Sequence, residues 1–280
     1  MQVFVTGATG FIGSAVVREL INAGHQVVGL TRSSRGGEML NKLGAAVHAG
    51  TLEDPDSLRS GAAAADGVIH LAFQHEQGLA NFASSLKIDL RAVETMGAAL
   101  EGSGSSFVIT NHRNGEESEK AVLALSGVRT SIASLAPSVH GEGDHGFVPA
   151  LISIARQKGI SAYVGDGSNR WPAVHRLDAA NLYRLALEKA PAGSHLIGRA
   201  EEGVPFRDIA EVIGRQLNLP VVSIAREAAD AHFGFLGALA AFDITGMIPA
   251  SSAQTREFLG WQPVHPTLIA DLEQGHYFKN

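Results

Sequence analysis

The 280-residue chain contains no cysteine. That excludes a disulfide framework, a thiolate metal centre and a cysteine nucleophile. No apolar run approaches the ~20 residues of a membrane span. The stretch 232–242 is apolar but short and predicts a buried helix. Lysine and arginine form no runs and the formal charge is −6, which argues against nucleic acid as the main partner. No repeat or low-complexity tract occurs; the alanines at 62–65 are too few. No Gly-x-Ser-x-Gly elbow follows a strand, so a serine-hydrolase triad has no foothold. Tyrosine is scarce. Tyr163, Tyr183 and Tyr277 are the full set, and none has a lysine four residues later.

What is present is an ordinary globular balance, 45% hydrophobic and 18% charged, with no disorder signature. The length suits one large α/β domain with a smaller appendage. The opening MQVFVTG starts a core strand at once and leaves no room for a signal peptide. A soluble cytoplasmic protein is expected.

Strand and helix alternate up to about residue 140. Short apolar runs predict strands at 3–6, 26–30, 46–48, 67–71, 107–110 and 130–135. Ile12, Val16, Val17 and Leu20 share one side of a helix over 11–23, and Gly24 suits its C′ position. Further helices are predicted at 38–43, from the Asp54-Pro55 cap, at 79–101, and almost directly after the fifth strand. Strands joined by helices pair in parallel through right-handed crossovers, so the fold class is a doubly wound α/β sheet of the Rossmann type. From Gly141 onward Gly, Pro and His become frequent, and helices such as 206–217 stand between loops. The expected division is a dinucleotide-binding domain over 1–140, with later segments returning to it, and a mainly substrate-binding lobe over 141–280.

The segment TGATGFIG, residues 6–13, lies directly between the first strand and the first helix. Gly7 permits the tight turn, Gly10 lets a pyrophosphate approach the backbone, and Gly13 lets helix and strand pack closely. Amides from about Gly10 to Ile12 then face the phosphates from the positive end of a helix. The context of strand, turn and helix, followed by four more such units, makes the motif specific.

TGATGFIG resembles the signature of the extended and atypical short-chain dehydrogenase/reductase superfamily. This branch holds NAD(P)-dependent epimerases, dehydratases and 3β-hydroxysteroid-dehydrogenase-like reductases. VIHLAF (68–73), LAPSVHGEG (135–143), AVHRLDAANLYRLALE (173–188) and FLGWQP (258–263) resemble further segments of the family in the same order. The resemblance implies a cofactor site built from Gly7, Thr9, Gly10, Phe11, Ile12, Arg32, Ser33 and Leu52. It adds Leu71, Ala72 and Phe73 after the fourth strand, and Pro137 and Val139 beside the nicotinamide. It also implies a small-molecule substrate and a homodimer through the two long helices flanking the sheet.

An NAD site usually has an acid at the end of the second strand, accepting from the ribose hydroxyls. Here the strand runs QVVGLTRSS, with Thr31 in that place and Arg32 next. A 2′-phosphate calls for a cation and small donors, which Arg32, Ser33, Ser34 and Arg35 supply. NADP(H) is expected over NAD(H).

The superfamily's chemistry resembles a Ser/Thr–Tyr–Lys arrangement in which lysine lowers the tyrosine pKa from near ~10. After residue 110 the sequence reads NHRNGEESEKAVLAL, so the loop and turn for serine and tyrosine are absent. Lys120 has Glu116, not tyrosine, four residues before it. Thr110 lies near the expected serine, slightly early, and His112 is the other nearby proton carrier. Either the protein lacks the loop, leaving a cofactor binder or an enzyme with another donor, or a mobile loop is missing from the sequence as read. The flanking register leans to the second, and the intact mass decides between them.

His140, His145 and His175 fall in two loops, with Glu142 and Asp144 close by, and read as polar pocket wall rather than a metal centre. Phe147 and Trp171 complete the expected substrate pocket, or belong to the core of the lobe. Asp178 reads as a helix N-cap and His70 as a packed histidine.

Overall fold

The computed structural model describes residues 1–74, 82–112, 114–246 and 251–279. In chain order the elements begin with β1 (Gln2–Thr6), α1 (Phe11–Asn22), β2 (Gln26–Thr31), α2 (Ser34–Leu43), β3 (Ala46–Ala49), α3 (Pro55–Ala63) and β4 (Gly67–His70). Next come α4 (Phe82–Leu100), β5 (Ser106–Thr110), α5 (Glu116–Leu123), β6 (Arg129–Leu135), β7 (Ser138–His140), α6 (Phe147–Lys158), β8 (Ser161–Val164) and β9 (Arg170–His175). The remainder is α7 (Arg176–Lys189), β10 (Ser194–Gly198), β11 (Glu201–Pro205), α8 (Phe206–Leu217), β12 (Val221–Ile224), α9 (Ala229–Phe233), α10 (Gly237–Ala241), α11 (Ala253–Leu259) and α12 (Leu268–Glu273), with short 3₁₀ turns among them.

Two units divide the chain. The first comprises Met1–Ser134, Ala179–Leu196 and Gln254–Trp261. Its seven-stranded sheet runs β10-β6-β5-β4-β1-β2-β3, and every pairing from β3 through β6 is parallel. β1 therefore has β2 on one side and β4 on the other, the point where strand order reverses and ligands collect at the carboxyl ends. The sheet forms because its strands are apolar on both faces: Val3, Phe4, Val5, Val68, Ile69 and Phe107 are fully buried.

Local signals set the helix ends. α1 stops at Ala23 because Gly24 takes φ +86°, and the His25 amide closes onto the Leu20 carbonyl at 3.0 Å. Asp54 caps α3 by accepting from the Ser57 amide at 3.1 Å, with Pro55 in the first turn. α2 begins earlier than expected, at Ser34, because the Ser33 hydroxyl accepts from the Gly36 amide at 3.1 Å. The expected start of α4 falls partly outside the described residues.

The second unit comprises Leu135–Asp178, Ile197–Ala253 and Gln262–Asn280. It holds a three-stranded sheet, β11-β9-β7, and a two-stranded parallel pair, β12-β8. Trp171, Phe206, Ile209, Phe233 and Leu236 form its core. The buried helix expected over 232–242 is instead broken into α9, a 3₁₀ turn and α10. Gly234 at φ +58° interrupts it, and Phe235 and Phe242 are exposed. Among the described residues no helix is long and apolar enough to cross a membrane.

Candidate cofactor and active site

The turn after β1 is glycine-bound for two different reasons. Gly7 takes φ +67°, and a Cβ there would lie 2.8 Å from the Ala72 nitrogen. At Gly13 a Cβ would stand 2.0 Å from the Gly7 carbonyl oxygen. Gly10 is another matter. It is exposed, and the nearest atom to its Cβ position is the Gly7 oxygen at 3.2 Å. Its missing side chain thus leaves outward space that the described residues do not fill, as a phosphate approach requires. α1 has Gly10 at its N-cap and so no side-chain cap, and the positive end of a helix favours an anion. The Thr6 hydroxyl ties the turn to the end of β4 by accepting from the Leu71 and Ala72 amides at 3.3 and 3.2 Å. Thr9, Phe11 and Ile12 are half-buried around it.

At the end of β2 the buried Thr31 occupies the position where an NAD site carries its acid, and Arg32, Ser33, Ser34 and Arg35 are exposed. Ser33 has a structural task as cap of α2. Ser33→Ala is expected to cost about 1 kcal/mol, read as a fall in Tm of roughly 2–4 °C. Leu52 is half-buried and packs against the core beneath β1 and β4.

A buried polar chain runs under the carboxyl ends of β1, β4 and β5. Because Thr6 already accepts from two amides, its proton goes to His70 Nδ1 at 2.6 Å. His70 Nε2 then donates to Asp89 Oδ1 at 3.1 Å, and Ser118 donates to Asp89 Oδ2 at 2.6 Å. Burial alone would raise the Asp89 carboxyl, but the bonds and charge from His70, Ser118 and His112 outweigh it and hold it below the usual carboxylate range. His70 is a packed histidine, as expected. The His112 ring packs on Phe73 at a tilt of 34°, with centroids 4.2 Å apart, and its Nε2 lies 3.9 Å from Asp89 Oδ1. Phe73 packs in turn on Phe82.

Thr110 is half-buried; its hydroxyl donates to the His70 carbonyl at 3.0 Å and meets the Tyr183 hydroxyl at 2.8 Å. With the threonine proton committed, Tyr183 is the donor of that pair. Burial pushes the Tyr183 phenol well above its ordinary pKa. After β5 the Gly115 amide donates to the His112 carbonyl at 2.9 Å, and α5 begins at Glu116. Asp89 escaped sequence reasoning, although a signal existed: on α4 it shares the buried face of Ser85, Ala92, Val93 and Met96, where a charge needs a partner.

In the second unit Pro137 and Val139 are half-buried, Val139 on β7. His140 and His175 are not loop residues as expected but end the paired strands β7 and β9. His140 Nδ1 contacts Asp271 Oδ2 at 2.8 Å, and His276 Nε2 contacts Asp271 Oδ1 at 2.9 Å. Tyr277 accepts from the Gly141 amide at 2.9 Å and donates to Asp144 at 3.0 Å. The His175 ring stacks on His265 and meets His140 edge-on. His145 is exposed. Trp171 is 1% exposed, donates to the Leu239 carbonyl, and packs with Phe147 and Phe206. Of the two readings for the aromatics, core fits it. Asp178, expected as a cap, lies inside the first turn of α7; its carboxylate accepts from the Val264 and His265 amides and binds the His265 ring. Among the described residues no group of three metal-ligating side chains is arranged to hold an ion.

Residues 3–108 match the model of the NAD dependent epimerase/dehydratase family. The uncharacterized protein C2A9.02 of Schizosaccharomyces pombe is 45% identical over 301 residues, covering 99% of this chain and 100% of that protein. That span exceeds the 280 residues of this chain, so the relative carries residues that this chain lacks. The 2-alkyl-3-oxoalkanoate reductase of Stenotrophomonas maltophilia is 28% identical, over 80% of this chain and 78% of its own. In fold the chain is similar to dTDP-glucose 4,6-dehydratase from Streptomyces venezuelae, solved with NAD bound. The TM-score is 0.75 at 16% identity, over 99% of this chain and 97% of that one. With its parallel Rossmann sheet, glycine turn and whole-length relatives, the chain belongs to the NAD dependent epimerase/dehydratase family.

Proposed function

We propose that this protein is an NADP(H)-dependent oxidoreductase, moving hydride between the nicotinamide and a carbonyl or alcohol carbon of a small molecule. The observation that carries the cofactor choice is the end of β2, where Arg32 and two exposed serines stand in place of an acid. A carboxylate there would repel a 2′-phosphate, whereas a guanidinium pairs with it. The glycine turn and the uncapped start of α1 would hold the pyrophosphate. Bound there, the cofactor supplies the hydride; the protein supplies orientation and a proton path. The likeness to a reductase supports redox chemistry on a carbonyl.

Arg32→Ala is expected to weaken NADPH about tenfold, one charge-assisted contact's worth, while NADH affinity stays within twofold. Fluorescence titration of both cofactors measures this, and equal weakening would show that Arg32 does not read the 2′-phosphate. A screen of carbonyl substrates, followed by loss of reduced-nicotinamide absorbance, tests turnover.

A second reading is a non-catalytic NADP(H)-responsive binding protein. The missing Tyr/Lys pair favours it, as does the burial of Tyr183 away from solvent. Tight NADPH binding without turnover across a broad panel would select it. An epimerase or dehydratase, the third variant, would retain its cofactor through turnover.

A further inference from the structure

We propose that segment 264–279 is an acid-released latch, opened when a proton enters His175. The device is independent of the reaction catalysed, and every group in it belongs to the second unit.

The segment carries α12 and a final 3₁₀ turn, His276–Phe278. Its apolar hold is small: Leu268 and Leu272 are its fully buried hydrophobic side chains. Polar ties add the rest. The Asp178 carboxylate of α7 accepts from the Val264 and His265 amides at 3.0 and 3.1 Å and contacts the His265 ring at 2.7 Å. The Asp271 carboxylate takes His140 of β7 on one oxygen and His276 on the other. Tyr277 accepts from the Gly141 amide and gives its proton to Asp144. Glu201 of β11 accepts from the Leu268 amide at 2.7 Å, and Arg156 of α6 donates to the Phe278 carbonyl at 3.1 Å.

His175 sits where these ties meet. It ends β9 and is 8% exposed. Its ring stacks on His265 at 5.0 Å, inclined by 12°, and lies edge-on to His140 at 5.3 Å. Its Nδ1 accepts from the Leu177 amide at 3.3 Å, so the neutral ring keeps its hydrogen on Nε2. An added proton must therefore go to Nδ1, which sets a second donor against that amide. The new cation would also stand face to face with one imidazole and against the edge of another. The nearby carboxylates are already engaged, Asp271 by His140 and His276, and Asp178 by His265 and two amides. The groups facing His175 are His140 from β7, Asp178 from α7, and Asp271 and His265 from the segment. Arg176 follows it in the chain, with Nη1 on the Glu142 carbonyl at 2.7 Å. Burial first, and then His140, hold the His175 pKa at about 4 instead of 6.5.

A ring that binds its proton more tightly when released than when seated favours release as the pH falls. Latch closure is complete above pH 6.5, weakens about tenfold per pH unit below it, and levels off near 4, about 300-fold weaker. Asp144 opposes this in part, since burial lifts its carboxyl. Through Tyr277 the latch also reaches the loop after β7, because release takes the phenol away from Gly141 and Asp144. That loop follows Pro137 and Val139, the stretch expected beside the nicotinamide.

Hydrogen exchange of the whole protein, read by mass spectrometry from about pH 7 to about 4.5, is the measurement. Rates are corrected for the intrinsic pH dependence of exchange. Amides of 264–279 and of the 141–146 loop are expected to open about tenfold more per pH unit below 6.5. Those of β1, β4 and β5 should stay protected. His175→Gln offers an oxygen to the Leu177 amide but takes no proton, so it should flatten that dependence. Tyr277→Phe should raise opening of the loop at every pH and leave the slope unchanged. If His175→Gln does not fold, localisation in the wild type and the slope in Tyr277→Phe decide alone. Opening of the segment in step with the strands of the first unit overturns the latch, because acid then acts on the whole fold. An unchanged slope in His175→Gln overturns it as well, as does a segment whose protection is indifferent to pH.

Discussion

Gly13→Ala is expected to destabilise the protein by about 3 kcal/mol and to weaken NADPH binding at least tenfold. One added methyl group would have its carbon 2.0 Å from the Gly7 carbonyl oxygen, far inside any tolerated contact. The obstruction is backbone, so no rotamer change relieves it; either α1 lifts from β1 or the turn deforms. Forced overpacking of this kind costs about 1–3 kcal/mol or more. For a chain of this size that corresponds to a fall in Tm of roughly 6 °C or more. Gly10→Ala separates packing from recognition. Its nearest atom is 3.2 Å away, so Tm should move little while NADPH affinity still falls. Equal effects on Tm from both variants would refute the division of labour between these glycines.

Acidification is expected to cost about 3 kcal/mol of stability through His175 alone. Burial, with His140 beside it, depresses the His175 imidazole from 6.5 to about 4, and every tenfold loss of proton affinity corresponds to ~1.4 kcal/mol. The unfolded chain binds the proton first. The contribution is therefore complete above pH 6.5, declines as the pH falls, and is lost below about 4. Other groups facing His175 are Asp271, His265 and Asp178. Asp271 acts in the same direction at lower pH. Burial would raise it, but the bonds from His140 and His276 outweigh that and hold it low. Asp144 opposes them, since burial lifts its carboxyl above the usual range despite the bonds from Gly146 and Tyr277. Comparing wild type with His175→Gln isolates the histidine: from pH 6.5 down to about 4 the wild type should lose about 3 kcal/mol relative to the variant. Parallel curves across this range would mean that His175 is not held neutral.

The first unit was legible because its cues are local. Strands β1 to β6 fall within a residue or so of the apolar runs that announce them, and Asp54-Pro55 and Gly24 mark helix ends by chemistry written in two or three neighbouring residues. The second unit was not, because its organisation depends on partners far apart in the chain. β9 pairs with β11 on one side and β7 on the other, and short strands of mixed composition carry no period. Asp178 shows the difference. Its place before a helical run suggested a cap, yet the groups it holds are 86 and 87 residues away. At the candidate site the glycines were readable from spacing. The joining of His70, Asp89, Ser118 and His112 was not, since only the fold places β4, α4 and α5 side by side.

The way the first unit is threaded also has a consequence for synthesis. Six of its seven strands have left the ribosome by residue 135, but the outer strand β10 begins only at Ser194. The free edge of β6 must wait for about 60 further residues, roughly 3–12 s at ordinary elongation rates. An uncovered strand edge is a template for pairing with another chain. Slower elongation lengthens that exposure, and chaperone capacity shields it. Yield of folded protein should therefore respond to the speed of translation more than the stability of the finished fold would suggest.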